Sequence, residues 1–253
     1  MQSHTPGYDA LTQAFTRLHK LQHLQAIVSW DQAANMPPAG AQARAEAMAE
    51  MATLLHRLRT DATMADALAR AEQEPLTDPQ RANLREMHRE WRQSNALPEE
   101  LVERSQLVSA RCEHAWRSQR PANDWAGFVD NFRPVLAAAR EEAQALSQQF
   151  GVSRYDALMD RFEPGTTSAR LDEVFGAVRQ WLPGLVQRVL DKQSREPVRT
   201  PQGPFAQEAQ RQLCDRVMRA LGFDFEAGRL DVSTHPFCGG VPEDVRLTTR
   251  FRD

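Results

Sequence analysis

Thr167-Ser168-Ala169-Arg170-Leu171-Asp172-Glu173-Val174-Phe175-Gly176-Ala177-Val178-Arg179-Gln180-Trp181-Leu182, continuing through Leu185-Val186-Gln187-Arg188-Val189-Leu190, sets the fold class. Its apolar residues fall at Leu171, Val174, Phe175, Val178, Trp181, Leu182, Leu185, Val186, Val189 and Leu190. Steps of three and four residues place them on one side of an α-helix. Thr167 suits the start, and Pro183 predicts a bend.

The same period recurs outward from this segment. Residues 8–28 repeat it through Tyr8, Leu11, Phe15, Leu18, Leu21 and Val28. Asn35-Met36-Pro37-Pro38-Ala39-Gly40 breaks it as a loop, and residues 41–58 resume a helix rich in Ala and Met. Thr77-x-x-Gln80 is a capping box opening a helix that ends near Ser94. Pro98 suits the first turn of the next helix, to about Ser118. Asn123 is placed to cap a long segment, Pro134 predicts a kink or restart within it, and Gly151 ends it. A last helix is expected over 206–221. The final residues then change character. The stretches 229–237 and 245–251 alternate in a strand-like way about Gly239-Gly240, which reads as a β-hairpin. The fold class is therefore mainly α, in one domain over 1–253: helices over about 1–225 and a hairpin over about 228–253.

Of the 253 residues, 41% are hydrophobic and 26% charged, an ordinary globular balance. The net charge of −3 argues against a nucleic-acid partner, which wants a basic face. Lys20 and Lys192 are the only lysines among 31 basic residues, and the arginines mostly alternate with acids at helical spacing, as on a solvated face. Cys112, Cys214 and Cys238 are odd in number and far apart, which suits neither a disulfide framework nor a C-x-x-C metal site. Met1 to Pro6 lacks the basic-then-apolar pattern of a leader, and no apolar stretch approaches the roughly 20 residues of a membrane span. The expected location is the cytoplasm, with no membrane partner.

The sequence contains no H-E-x-x-H and no Gly-rich phosphate loop. His19 and His23 stand four apart on a helix, but without a Glu after His19 they read as surface polar residues. No catalytic or metal-ligating residue is assigned. The last strand carries the one suggestive pattern. Alternation puts Asp244, Arg246, Thr248 and Arg250 on one face and Val245, Leu247, Thr249 and Phe251 on the other. Arginine binds carboxylates through two parallel hydrogen bonds, and His235-Pro236-Phe237 is expected on the partner strand. A solvated charged sheet face is the competing reading.

Four stretches, taken together and in order, resemble the carboxypeptidase Taq family. They are Ser29-Trp30-Asp31 through Asn35 to Ala41 with Arg44-Ala45-Glu46; Tyr155-Asp156-Ala157-Leu158-Met159-Asp160 with Phe162-Glu163-Pro164-Gly165; His235-Pro236-Phe237; and Asp244-Val245-Arg246-Leu247-Thr248-Thr249-Arg250. The resemblance implies a helical, gluzincin-like peptidase fold with a deep groove, of which this chain is the N-terminal half. It implies a metal-dependent carboxypeptidase using zinc or cobalt, acting on peptides with a free C-terminus and forming homodimers. The family's H-E-x-x-H follows the D-x-R-x-T-T segment, so the chain stops before it, and these 253 residues are expected to be inactive and metal-free alone. The family's substrate segments map onto His235, Asp244, Arg246, Thr248 and Thr249. Arg246 is the candidate reader of the substrate carboxylate, with Arg250 second. The first two stretches are read as structural. A non-catalytic helical interaction module and an inactive relative of the peptidase are the alternatives.

Overall fold

A computed structural model describes residues 4–252. The reading of Met1 to Ser3 as the start of a chain without a leader lies outside those residues. Nine helices are described: α1 (Pro6–Ala34), α2 (Ala41–Thr60), α3 (Ala62–Ala71), α4 (Asp78–Asn95), α5 (Glu99–Ala122), α6 (Trp125–Phe150), α7 (Arg154–Met159), α8 (Ser168–Gln193) and α9 (Gln207–Ala220). Three strands close the chain: β1 (Gly228–Val232), β2 (Cys238–Val241) and β3 (Asp244–Thr249).

Local chemistry sets most helix ends. Thr77 and Gln80 form the expected capping box, with Thr77 N–H donating to Gln80 Oε1 at 2.9 Å. Gly151, at φ 67°, ends α6 in the left-handed conformation that glycine adopts without a Cβ penalty. Asn123 does not cap α6. It is the left-handed residue closing α5, and Asp124 is the cap, accepting from Gly127 N–H at 2.9 Å. Neither Pro134 nor Pro183 ends its helix. At the start of α1, both oxygens of Glu74 receive backbone donors, Gly7 N–H at 2.6 Å and Tyr8 N–H at 3.0 Å. This places negative charge at the positive end of the helix dipole. A Cβ at Gly7 would lie 2.8 Å from the backbone nitrogen of Ala71, so glycine is what lets α1 approach α3 there.

Leu11, Leu18, Leu55, Met64, Leu68, Leu84 and Met87 form the main core, shared by α1 to α4. Leu101, Ala138, Ala143 and Leu146 are buried where α5 meets α6. The first two family-like stretches are structural fasteners. Arg44 on α2 donates to Asp31 at 2.8 Å and to the carbonyl of Val28 at 3.1 Å, tying α2 to the end of α1. Asp156 accepts from Ser168 N–H at 2.7 Å and from the Ser168 hydroxyl, and these bonds hold its carboxyl below the usual carboxylate range. Asp160 accepts from Gln93 at 2.9 Å and from Gly165 N–H at 2.9 Å, which fixes the turn into α8.

α8 is the amphipathic helix expected, yet none of its residues is buried. Phe175, Trp181 and Leu190 are each at least half exposed. Nor is any residue of α9 buried.

The hairpin expectation needs correcting. β1 and β3 fall on the two stretches that alternation marked, but β2 lies on Gly239-Gly240, expected as the turn, and the three strands form a sheet in the order β1-β3-β2. β1 runs parallel to β3, and the antiparallel hairpin is β2–β3. His235-Pro236-Phe237 is not on a strand; it lies in the crossover from β1 to β2. Periodicity marks a strand but does not choose its partner, and the short connection at 242–243 gave the antiparallel pairing to β2.

Candidate substrate-binding site

The sheet packs against α1, and the site forms where they meet. His23 and Trp30 are seven residues apart on α1, two turns, and so lie on one face. Arg229 of β1 and Arg246 of β3 are direct partners in the parallel register. Both guanidinium carbons stand 5.0 Å from the centroid of the Trp30 ring, which is only 8% exposed. A cation over an aromatic face is attracted by the ring's negative quadrupole, more strongly where water is excluded.

Two carboxylates hold the two arginines. Asp231 accepts from Arg229 Nε at 2.7 Å and Nη2 at 2.6 Å, and this fork raises the Arg229 guanidinium above its ordinary value. Asp244 accepts from Arg246 Nη1, which also reaches the carbonyl of Val245 at 3.1 Å. The other oxygen of Asp244 lies 3.1 Å from His23 Nε2. A carboxylate only accepts, so Nε2 carries the hydrogen. His23 is therefore no bare surface polar residue, as its sequence neighbours suggested; His19 is exposed.

Three polar atoms buried in this cluster have no partner within the chain: His23 Nδ1, Trp30 Nε1 and Arg246 Nε. Buried polar atoms left unpaired are costly, and in folded proteins most are satisfied by protein, water or ligand. The Arg246 side chain is 17% exposed, so its guanidinium is held in a fixed position with part of its surface open to solvent, while its Nε is enclosed.

The remaining residues singled out from sequence divide. Asp244 and Arg246 are together in the cluster. Thr248 is buried, accepts from Phe237 N–H at 2.9 Å and lies 2.8 Å from the Ser233 hydroxyl. Its hydroxyl pins the His-Pro-Phe crossover to β3. Thr249 pairs with Val232 in the sheet register. Arg250 lies beyond the strand and donates to the carbonyl of Thr234 at 3.1 Å. His235 meets Trp116 edge-on, ring centroids 6.4 Å apart, and lines a cavity of about 420 Å³ with Ser29, Ala33, Glu113 and Arg117. Trp30, Arg229 and His23 were missed as site residues. The seven-residue spacing of His23 and Trp30 was visible; what they meet depends on strand pairing.

Among the described residues no group of three or more His, Cys, Asp or Glu side chains could hold a metal ion. No helix among them is long and apolar enough to cross a membrane.

The helical body closed by a small sheet matches solved carboxypeptidases. The chain superposes on Trypanosoma cruzi metallocarboxypeptidase 1 with a TM-score of 0.81 at 42% identity, covering 98% of this chain and 50% of that one. It superposes on the Pyrococcus furiosus carboxypeptidase with a TM-score of 0.79 at 25% identity, covering 98% and 50%. Thermostable carboxypeptidase 1 of Thermus thermophilus is 35% identical over 245 residues, 91% of this chain and 48% of that protein. The model of the Carboxypeptidase Taq (M32) metallopeptidase family matches residues 10–253, and the chain belongs to that family. It spans about half the length of the curated relatives it matches.

Proposed function

We propose that this chain is the substrate-reading half of a metal-dependent carboxypeptidase that removes C-terminal amino acids from peptides. The observation that carries the reading is Arg246, oriented by Asp244 and Trp30 and partly open to solvent, in a chain of this family. A carboxypeptidase must distinguish a free C-terminal carboxylate from an internal peptide bond. A guanidinium already fixed in place can do so with little ordering cost, through a charge-assisted hydrogen bond. Asp244 and Trp30 act as positioning residues, His235 and Thr249 border the groove, Thr248 holds the crossover in place, and Arg250 is the second candidate cation.

A divalent metal, zinc or cobalt, would supply carbonyl polarisation and an activated water when bound. A catalytic site needs about three protein ligands. The described residues offer no such group, so none of the hydrolytic steps is assigned to them, and the ligands and general base are proposed to lie outside these 253 residues. The working protein is proposed to be a cytoplasmic homodimer.

The test compares the 253-residue chain with a longer protein carrying the same residues and an H-E-x-x-H segment. The chain alone, after dialysis, should retain less than one equivalent of zinc and leave a C-terminally free peptide intact; the longer protein should hydrolyse it. A full equivalent of metal held by the short chain, with hydrolysis, would overturn the division of labour proposed here.

A further inference from the structure

β1 and β3 each carry an arginine and an aspartate two residues apart, in opposite order, and that spacing puts both side chains on one face of the strand. The two pairs lie side by side, because Arg229 and Arg246 are register partners. They close differently. Asp231 meets Arg229 at two points, accepting from Nε at 2.7 Å and from Nη2 at 2.6 Å. Asp244 meets Arg246 at one point, accepting from Nη1 through Oδ1 alone. Nη1 also serves the Val245 carbonyl at 3.1 Å. Among the described residues Nη2 of Arg246 has no acceptor, and Nε is enclosed without one.

The two aspartates differ in a third partner. Oδ2 of Asp244 lies 3.1 Å from Nε2 of His23, and no other side chain bonds Asp231 among the described residues. Arginine and a carboxylate readily adopt the two-point fork, which adds energy as well as geometry. For Asp244 to turn both oxygens to Arg246, Oδ2 would have to leave His23. That would strip a partly buried ring, whose Nδ1 is already unpartnered, of its one hydrogen bond to the chain. His23 is also held in place by its helix. It stands two turns before Trp30 on α1, so the same helix supplies the ring beneath Arg246 and the donor that holds its aspartate.

We propose that His23 is a positioning residue for the carboxylate reader. By occupying Oδ2 of Asp244, it keeps Arg246 from closing into a two-point pair and leaves Nη2 for a substrate carboxylate. The proposal rests on the reading that Arg246 binds that carboxylate.

The test uses the active protein carrying these residues and two variants: His23→Leu, which has no donor, and His23→Gln, whose amide can donate to Asp244. Steady-state kinetics are measured on a peptide ending in a free acid and on its amide. His23→Leu should raise KM for the free acid about tenfold or more, with kcat and the amide little changed. His23→Gln should stay near wild type. In a crystal structure of the His23→Leu variant, both oxygens of Asp244 should engage Arg246 as those of Asp231 engage Arg229. Equal losses on acid and amide would mean that His23 only braces α1 against β3, and would overturn the proposal. So would an Asp244 that keeps its single contact in the leucine variant, or a glutamine variant as impaired as the leucine one. An unchanged preference for the free acid in His23→Leu, beside a lowered one in Arg246→Ala, would overturn this proposal and leave the reading of Arg246 standing. An unchanged preference in Arg246→Ala itself would overturn both.

Discussion

Trp30 is the side chain on which the site's two cations converge, so its replacement should register in stability and in the arginines together. Truncating a buried Trp to Ala costs about 3–5 kcal/mol through lost burial and the cavity left behind. Trp30 is 8% exposed and fits that range. A cation over an aromatic ring contributes about 0.5–1 kcal/mol when exposed and about 2 when desolvated. Arg229 and Arg246 each stand 5.0 Å from the ring, and the latter is the more buried. Trp30→Ala should therefore lower Tm by roughly 6–20 °C, at roughly 2–4 °C per kcal/mol for a chain of this size. Trp30→Phe keeps an aromatic face and loses an indole N–H that has no partner, so its cost should be clearly smaller. The decisive assay is a double-mutant cycle by urea denaturation, pairing Trp30→Leu with Arg246→Met. Leucine retains apolar bulk without a π face, so the coupling isolates the cation–π contact and should be about 0.5–2 kcal/mol. A coupling indistinguishable from zero, or Trp30→Ala stability within about 1 kcal/mol of wild type, would refute the view that this tryptophan anchors the arginines.

Stability should fall as pH drops through the histidine range. The unfolded chain takes up a proton at His56 near 6.5, whereas the folded state resists until lower pH because burial opposes the charge. This contribution is fully present above 6.5 and lost below it, so His56→Gln should flatten that limb in urea titrations across pH. A profile with the same slope in the variant would assign the limb to other groups. The isolated chain should self-associate through the apolar faces of α8 and α9, because monomers rarely expose patches beyond several hundred Å². Light scattering should show oligomers, and Trp181→Glu with Val189→Glu should shift them to monomer. A wild-type chain that is monomeric and does not bind a hydrophobic dye would count against this.

Helices were legible because each carries its own period and punctuation. Thr77 and Gln80, Gly151, and the loop at Pro37-Pro38 are all local signals acting on local backbone. The sheet was legible in part: β2 lies on Gly239-Gly240, whose glycines read as a turn, and β1 joins β3 by a contact 17 residues away in register, Gly228 to Val245, which no local rule selects. The site follows the same division. Alternation alone put Asp244 and Arg246 together. Trp30 and His23 entered only when the sheet was laid against α1, and Thr248 left the open face because Ser233 and Phe237 come back over it. α8 shows a further limit: its period is the clearest in the chain, yet the period says that a face should be covered and not by what.

The proposed function turns on whether Arg246 reads the substrate's free carboxylate. The measurement is kcat/KM for a matched pair of peptides, one ending in a free acid and one in an amide, with the active protein carrying these residues and its Arg246→Ala variant. Losing one charge-assisted hydrogen bond costs about 1.5–3 kcal/mol, roughly a ten- to hundredfold change. That loss is expected on the free acid, with little change on the amide and a smaller preference between them. Equal losses on both substrates, together with a lowered Tm, would mean that Arg246 only braces β3 against Asp244 and Trp30, and would contradict its role as the carboxylate reader.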